Sequence, residues 1–287
     1  MADVGADELL LKSVAEQVAA DAAVLVRSAW EALRAGGDLR VDTKSADTDV
    51  VTAADRESEE LVRERLARLR PGEPVLGEEG GTGVGTGAGG AGEDGAGEAR
   101  GGVTWVVDPI DGTVNFLYGL PGFAVSIAAQ VDGVSVAGAV VEPVSGRRWT
   151  AARGEGAWLD GRRLSVSAPG RLDLALVGTG FAYLRERRIR QGQLVAGLLG
   201  EVRDIRRRGA ASLDLCAVGA GWLDAYFEHG LNRWDWAAGA LVAEEAGATV
   251  QLPGSAPDLG EDATFAATPP IAAQLRARLA AGGAAAV

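Results

Sequence analysis

The segment "VTWVVDPIDGTVNF", Val103 to Phe116, closes an apolar run with Asp108 and Asp111, separated by Pro109 and Ile110. Pro109 disfavours the α conformation at Asp108, so the spacing predicts a strand that ends there. The Asp-Gly-Thr that follows reads as a turn able to start a helix. Both carboxylates then project at one strand end, beside the backbone N–H groups of Gly112 and Thr113. Two neighbouring, partly buried anions repel each other, and a cation between them removes the cost. Oxygen ligands without His or Cys suit a hard ion, Mg²⁺ before Mn²⁺ or Ca²⁺. N–H groups at a helix start suit an anion. A place that takes both suits a phosphate ester. Asp and Gly are also ordinary turn and capping residues, so the segment alone leaves a purely structural role open.

Two further stretches shift the balance. "VLGEEG" sets Glu78 and Glu79 directly after a short apolar strand, and "NRWDWAAGALVAEEAG" sets Asp235 between two tryptophans at the start of a helix. Capping by itself would account for Asp235. Acids at three element ends are together hard to dismiss as three unrelated caps.

Composition narrows the alternatives. The 287 residues carry 28 basic and 40 acidic side chains, a net charge of -12, which disfavours general affinity for nucleic acid or anionic membranes. One cysteine, Cys216, and one histidine, His229, exclude disulfides, Cys/His zinc sites and Ser-His-Asp triads by count. No apolar run is of bilayer length, and the acidic start "MADVGADELL" lacks the basic and apolar regions of a signal peptide; a cytoplasmic location is expected. Catalysis must then come from carboxylates, hydroxyls, backbone and metal.

The elements that position these residues read as follows. "DELLLKSVAEQVAADAAVLVRSAWEALRAGG" has helical apolar spacing, and "RESEELVRERLARLRPG" is a charged second helix stopped by Pro71 and Gly72. Gly80 to Gly102 is glycine-rich and low in complexity, a surface loop; its GxGxxG (Gly85, Gly87, Gly90) opens no helix and is read as compositional. From Phe123 to Leu164, β-prone runs alternate with turns at Asp132-Gly133, Ser145-Gly146 and Asp160-Gly161, an antiparallel sheet. From about Arg171, strands such as "LALVGTG" and "ATVQL" interleave with helical patterns such as "SLDLCAVGAGWLDAYF" and "WAAGALVAEEAG", an α/β arrangement. Two domains, 1–145 and 146–287, are expected, the first carrying most of the acidic motifs.

"VLGEEG", "WVVDPIDGTVNF" and "WDWAAGALVAEEAG", with "TDVVTAAD" and "GAASLDLCAVGAGWLDAYFEHG", closely resemble the signatures of the inositol monophosphatase family, lithium-sensitive, Mg²⁺-dependent phosphomonoesterases. The resemblance implies a layered αβαβα sandwich of mixed α+β and α/β character, two or three Mg²⁺ ions per subunit and a homodimer. It places metal ligands on Glu78, Asp108, the Ile110 carbonyl, Asp111 and Asp235. Phosphate falls on Asp111, Gly112 and Thr113, and activation of the attacking water on Glu78 and Thr113. Lys44 and Asp55 match an outer layer around the metals. Substrate contacts fall on Ala211, Glu228, Asp235 and, by a looser match, Thr179. Val114 replaces a usual second threonine, and the glycine-rich stretch is longer than usual.

The implied reaction is hydrolysis of myo-inositol 1-phosphate by in-line attack of a metal-activated water. Fructose 1,6-bisphosphate, histidinol phosphate and adenosine 3',5'-bisphosphate stay open as substrates. "RERRIR" (Arg185 to Arg190) and "RDIRRRG" (Arg203 to Gly209) could meet a second phosphate, although solvated or subunit-contact arginines are the plainer reading. A regulatory protein that binds a macromolecule on the same fold is the alternative from another class. His229 is expected in a loop and Cys216 in the core.

Overall fold

The computed structural model describes residues 4–36, 41–43, 50–83 and 102–287. In chain order the first elements are α1 (Val4–Arg34), β1 (Val41–Thr43), β2 (Val50–Thr52), α2 (Ala53–Leu69), β3 (Val75–Gly77), β4 (Gly81–Gly83), β5 (Val103–Asp111) and α3 (Thr113–Leu117). The strands β6 (Ala124–Val131), β7 (Val134–Val141), β8 (Arg148–Ala152), β9 (Gly156–Leu159) and β10 (Arg162–Arg163) follow. The remainder is β11 (Leu176–Thr179), α4 (Arg185–Leu198), β12 (Asp204–Arg206), α5 (Ala211–Gly219), β13 (Ala225–His229), α6 (Arg233–Glu245), β14 (Thr249–Gln251), β15 (Ala263–Ala267) and α7 (Pro269–Ala281).

Among the described residues the strands form a β1–β2 ribbon, an eight-stranded sheet ordered β10-β9-β8-β7-β6-β5-β3-β4, and a five-stranded sheet ordered β12-β11-β13-β15-β14. α1 and α2 cover one face of the large sheet. The apolar stripe of α1, with Leu11, Val14, Val18, Ala22, Val26 and Trp30 at helical spacing, meets Val125, Ile127 and Val141. On the other face α5 and α6 bury Cys216, Leu213 and Leu241 against Val106, Val140 and Trp149. The opposite sides of the same two helices bury Leu215, Val218 and Ala243 against Tyr226 and Ala266 of the second sheet. α4 and α7 close the far side around Phe227, Phe265, Leu194 and Leu275. The layers therefore run αβαβα, as the resemblance implies. Both faces of the large sheet are covered, which is why its central strands are apolar on both faces and do not alternate with polar residues.

Three local readings change. β5 does not end at Asp108: its ladder to β6 breaks between Asp108 (opposite Ser126) and Asp111 (opposite Ala124), so Pro109 sits in a bulge, where its missing N–H costs no ladder bond. "SLDLCAVGAGWLDAYF" is two elements, α5 and β13. The chain turns at Gly219 to Asp224, with Gly221 at φ +69°, and Tyr226 and Phe227 then suit a strand. The division placed near residue 145 falls between β7 and β8, which pair with each other; the change of sheet comes after Arg163. The Asp-Gly hairpins do form, with Asp132 and Gly133 at φ 48° and 77° and Asp160 and Gly161 at 49° and 77°.

Candidate active site

β3 and β5 run parallel with Gly77 opposite Val107, which brings Glu78 beside Asp108 at the same end of the two strands. After the bulge Asp111 is followed by Gly112 at φ +93°, a left-handed turn that glycine adopts without strain, and the chain enters α3. α2 supports this turn from behind. Asp55 caps α2 by accepting the Thr52 N–H at 2.9 Å and the Thr52 hydroxyl at 2.5 Å through Oδ2, while Oδ1 lies 3.3 Å from the Thr113 hydroxyl. The Thr113 hydroxyl also lies 3.0 Å from the Ile110 carbonyl, and Ser58 donates to the Pro109 carbonyl at 3.2 Å. Asp55 thus joins a helix cap to the turn. Lys44 lies outside the described residues.

The second half of the chain supplies the facing wall. α5 has Ala210 at its N-cap and no side-chain cap of its own, and Asp111 takes that role across the fold. Its Oδ1 accepts from the Ala211 N–H at 3.1 Å, and its Oδ2 from the Ser212 N–H at 2.7 Å and hydroxyl at 2.5 Å. Asp235, in the first turn of α6, accepts the Asn232 N–H at 2.6 Å. Glu228 leaves β13 with its Oε2 accepting the Tyr226 hydroxyl at 2.5 Å.

These groups meet in one cleft of about 480 Å³. It is lined by Glu78, Asp108, Ile110, Asp111, Gly112 and Thr113 from the ends of β3 and β5, and by Ala211, Glu228, Asn232, Trp234 and Asp235 from the far wall. Arg187 and Arg207 also line it. Burial pushes the Asp108 carboxyl well above its usual range, and the charges of Glu78, Asp111, Asp235 and Asp55 add to the effect. Burial raises Asp111 to about 6 against the opposing pull of the Ser212 and Ala211 donors. Asp235 is raised by burial and then by Asp111. Glu228 is raised to about 7 by burial, with the Tyr226 hydroxyl and Arg207 pulling the other way.

Every donor in this set is oxygen, several are anionic and buried, and neighbouring charges raise Asp108 and Asp235, which is the chemistry of a hard divalent cation site. Among the described residues no three His, Cys, Asp or Glu side chains already form a closed metal-binding group. Asp108 accepts from the Ile110 N–H at 3.1 Å, so it, Asp111 and Asp235 each take at least one protein donor.

Thr179 pairs with Phe227 inside the second sheet, is 2 % exposed and does not line the cleft, which this stretch of chain lines from Phe181 to Leu184. His229 ends a strand, with Nε2 2.7 Å from the Leu259 carbonyl, and burial lowers its pKa. The arginine clusters are mostly engaged: Arg187 pairs with Asp262, Arg188 with the Ala182 and Tyr183 carbonyls, Arg206 with Asp204 and Arg208 with Asp214. Ser212 was not singled out by the sequence, because its partner is 101 residues away and nothing local marks it.

Residues 8–283 match the model of the inositol monophosphatase family. A protein of Mycobacterium leprae named inositol-1-monophosphatase is 52% identical over 279 residues, 94% of this chain and 93% of that protein. The solved structure of Mycobacterium tuberculosis SuhB superposes with a TM-score of 0.78 at 42% identity, covering 96% of this chain and 98% of the other. A Pseudomonas aeruginosa protein named Nus factor SuhB is 41% identical over 240 residues, 79% of this chain and 84% of its own.

Proposed function

The chain belongs to the inositol monophosphatase family, and from that premise we propose that it hydrolyses myo-inositol 1-phosphate to myo-inositol and phosphate in the cleft between its two sheets. The observation that carries this reading is the meeting of Glu78, Asp108, Asp111 and Asp235 with Glu228 around one opening. Glu78, Asp108, Asp111, Asp235 and the Ile110 carbonyl would hold Mg²⁺, two or three ions per subunit. Bound there, the ions supply neutralisation of the ester dianion, a lowered pKa for water and stabilisation of the leaving oxygen.

The chain's own groups do the rest. The Asp111-Gly112-Thr113 turn seats the phosphate. The Thr113 proton is directed at the Ile110 carbonyl and Asp55, which leaves its oxygen lone pairs to accept from the attacking water and orient it. Glu78, half-buried at the cleft edge, takes the water's proton. Glu228 accepts hydrogen bonds from the ring hydroxyls, and its pKa of about 7 lets it act as donor or acceptor near neutrality. A homodimer belongs to the same reading. Among the described residues no helix is long and apolar enough to cross a membrane.

Phosphate release by the purified protein with Mg²⁺ tests the reading, with myo-inositol 1-phosphate, fructose 1,6-bisphosphate, histidinol phosphate and adenosine 3',5'-bisphosphate compared side by side. The first is expected to give the highest kcat/KM; release from none of the four overturns the proposal. The relative named Nus factor supports a second reading, a macromolecular partner held through exposed arginines such as Arg185. RNA or protein binding that persists in Asp111→Asn, in a chain without phosphatase activity, would favour it.

A further inference from the structure

Glu59, on α2, is 3 % exposed and lies outside the motifs that define the site. Its Oε2 accepts the Glu79 N–H at 2.8 Å and its Oε1 the Gly80 N–H at 2.9 Å. One turn further along α2, Arg63 donates from Nε to Glu59 Oε1 at 2.8 Å, from Nη1 to the Val75 carbonyl at 3.1 Å and from Nη2 to the Gly81 carbonyl at 2.8 Å. The pair therefore grips β3 at its first residue, the two peptide groups after Glu78, and the first residue of β4. A Cβ on Gly77 would fall within the Glu59 carboxylate, so glycine there is what permits the close approach.

Within 75–81, Glu78 is the residue that lines the cleft. On its N-terminal side β3 is only three residues long, and on its C-terminal side the sequence is glycine-rich, a composition with little conformational preference of its own. Neither flank is suited to fix the direction of a side chain. A buried carboxylate that takes two N–H groups and a guanidinium is suited, because moving the turn would strand a buried charge.

We infer that Glu59 and Arg63 are positioning residues that hold Glu78 toward the cleft. The inference rests on the role given to Glu78 above. It is tested in the full-length chain by titrating Mg²⁺ calorimetrically without substrate, and by measuring kcat and KM for myo-inositol 1-phosphate. Glu59→Gln and Arg63→Lys should each weaken Mg²⁺ binding and lower kcat by about tenfold, the lower end of what contacts behind a ligand contribute, with KM unchanged. Adding Glu59→Gln to Glu78→Gln should produce no further loss, whereas a general structural role would make the two losses add. Native Mg²⁺ affinity and kcat in Glu59→Gln, or full additivity, overturns the inference. If Glu59→Gln does not fold, Arg63→Lys, at a partly exposed position, decides by the same criteria. Glu78→Gln with unimpaired binding and turnover instead overturns the role of Glu78 itself.

Discussion

Asp111 performs two tasks with one carboxylate: it faces the cleft, and it caps α5 through Ala211 and Ser212. Asp111→Asn keeps the shape but turns an NH₂ group toward one set of those donors. Turnover should fall by about a hundredfold or more, on the scale of losing one charged transition-state contact. Far-ultraviolet circular dichroism should stay native, with a stability loss of about 1–3 kcal/mol from the mismatched donors; near-normal turnover would remove Asp111 from the site. Asp108 and Asp111 are legible in the sequence because strand, proline and glycine surround them within a few residues. The raised pKa values of Asp108, Asp235 and Glu228 are not, because each arises from burial and from charges brought in by other elements.

At the scale of elements, α5 ties the two walls of the cleft together. Its N-terminus lacks a local cap, and its first turn is completed by Asp111 from the end of β5. Ser212→Ala removes one of the donors to Asp111 and leaves both N–H bonds, so Mg²⁺ affinity and kcat should drop by about tenfold while secondary structure is retained. Unchanged kinetics would show that the backbone donors alone hold Asp111. α1 could be read from periodicity, since its apolar stripe is long and regular, and α2 from a charged run stopped by Pro71 and Gly72. α5 and β13 merged in that reading because "SLDLCAVGAGWLDAYF" is apolar throughout: a buried helix and a buried strand lack the polar face that would betray their period.

For the whole molecule, α5 and α6 lie between two sheets and contribute to the core on both sides. Leu241, 1 % exposed on α6, should cost about 2–5 kcal/mol when cut to Ala, read by urea denaturation. A second global property follows from Asp214 on α5. Burial raises it to about 8, Arg208 at 3.5 Å opposes this, and the charges of Glu228 and Asp111 add to the rise. An acid whose folded pKa exceeds its unfolded value binds more protons in the native state, so its contribution weakens as pH rises from about 4 to about 8. Thermal midpoints in metal-free buffer should therefore fall from pH 5 to pH 9, and Asp214→Asn should flatten that decline; an identical slope in the variant would refute the assignment.

The sequence by itself determined which chemistry was available. With one histidine and one cysteine, acids after apolar strands and at a helix start left oxygen-ligated cations as the route to catalysis, and Asp-Gly pairs marked the hairpins that form. These properties are local, set by backbone preferences over a few residues. Only the tertiary structure decided that Asp111 is held by Ser212, that Glu59 grips the turn beside Glu78, and that Thr179 stays inside the sheet. Those outcomes depend on which elements approach one another. That is governed by how five layers pack to bury their apolar faces, and no short stretch of chain encodes it.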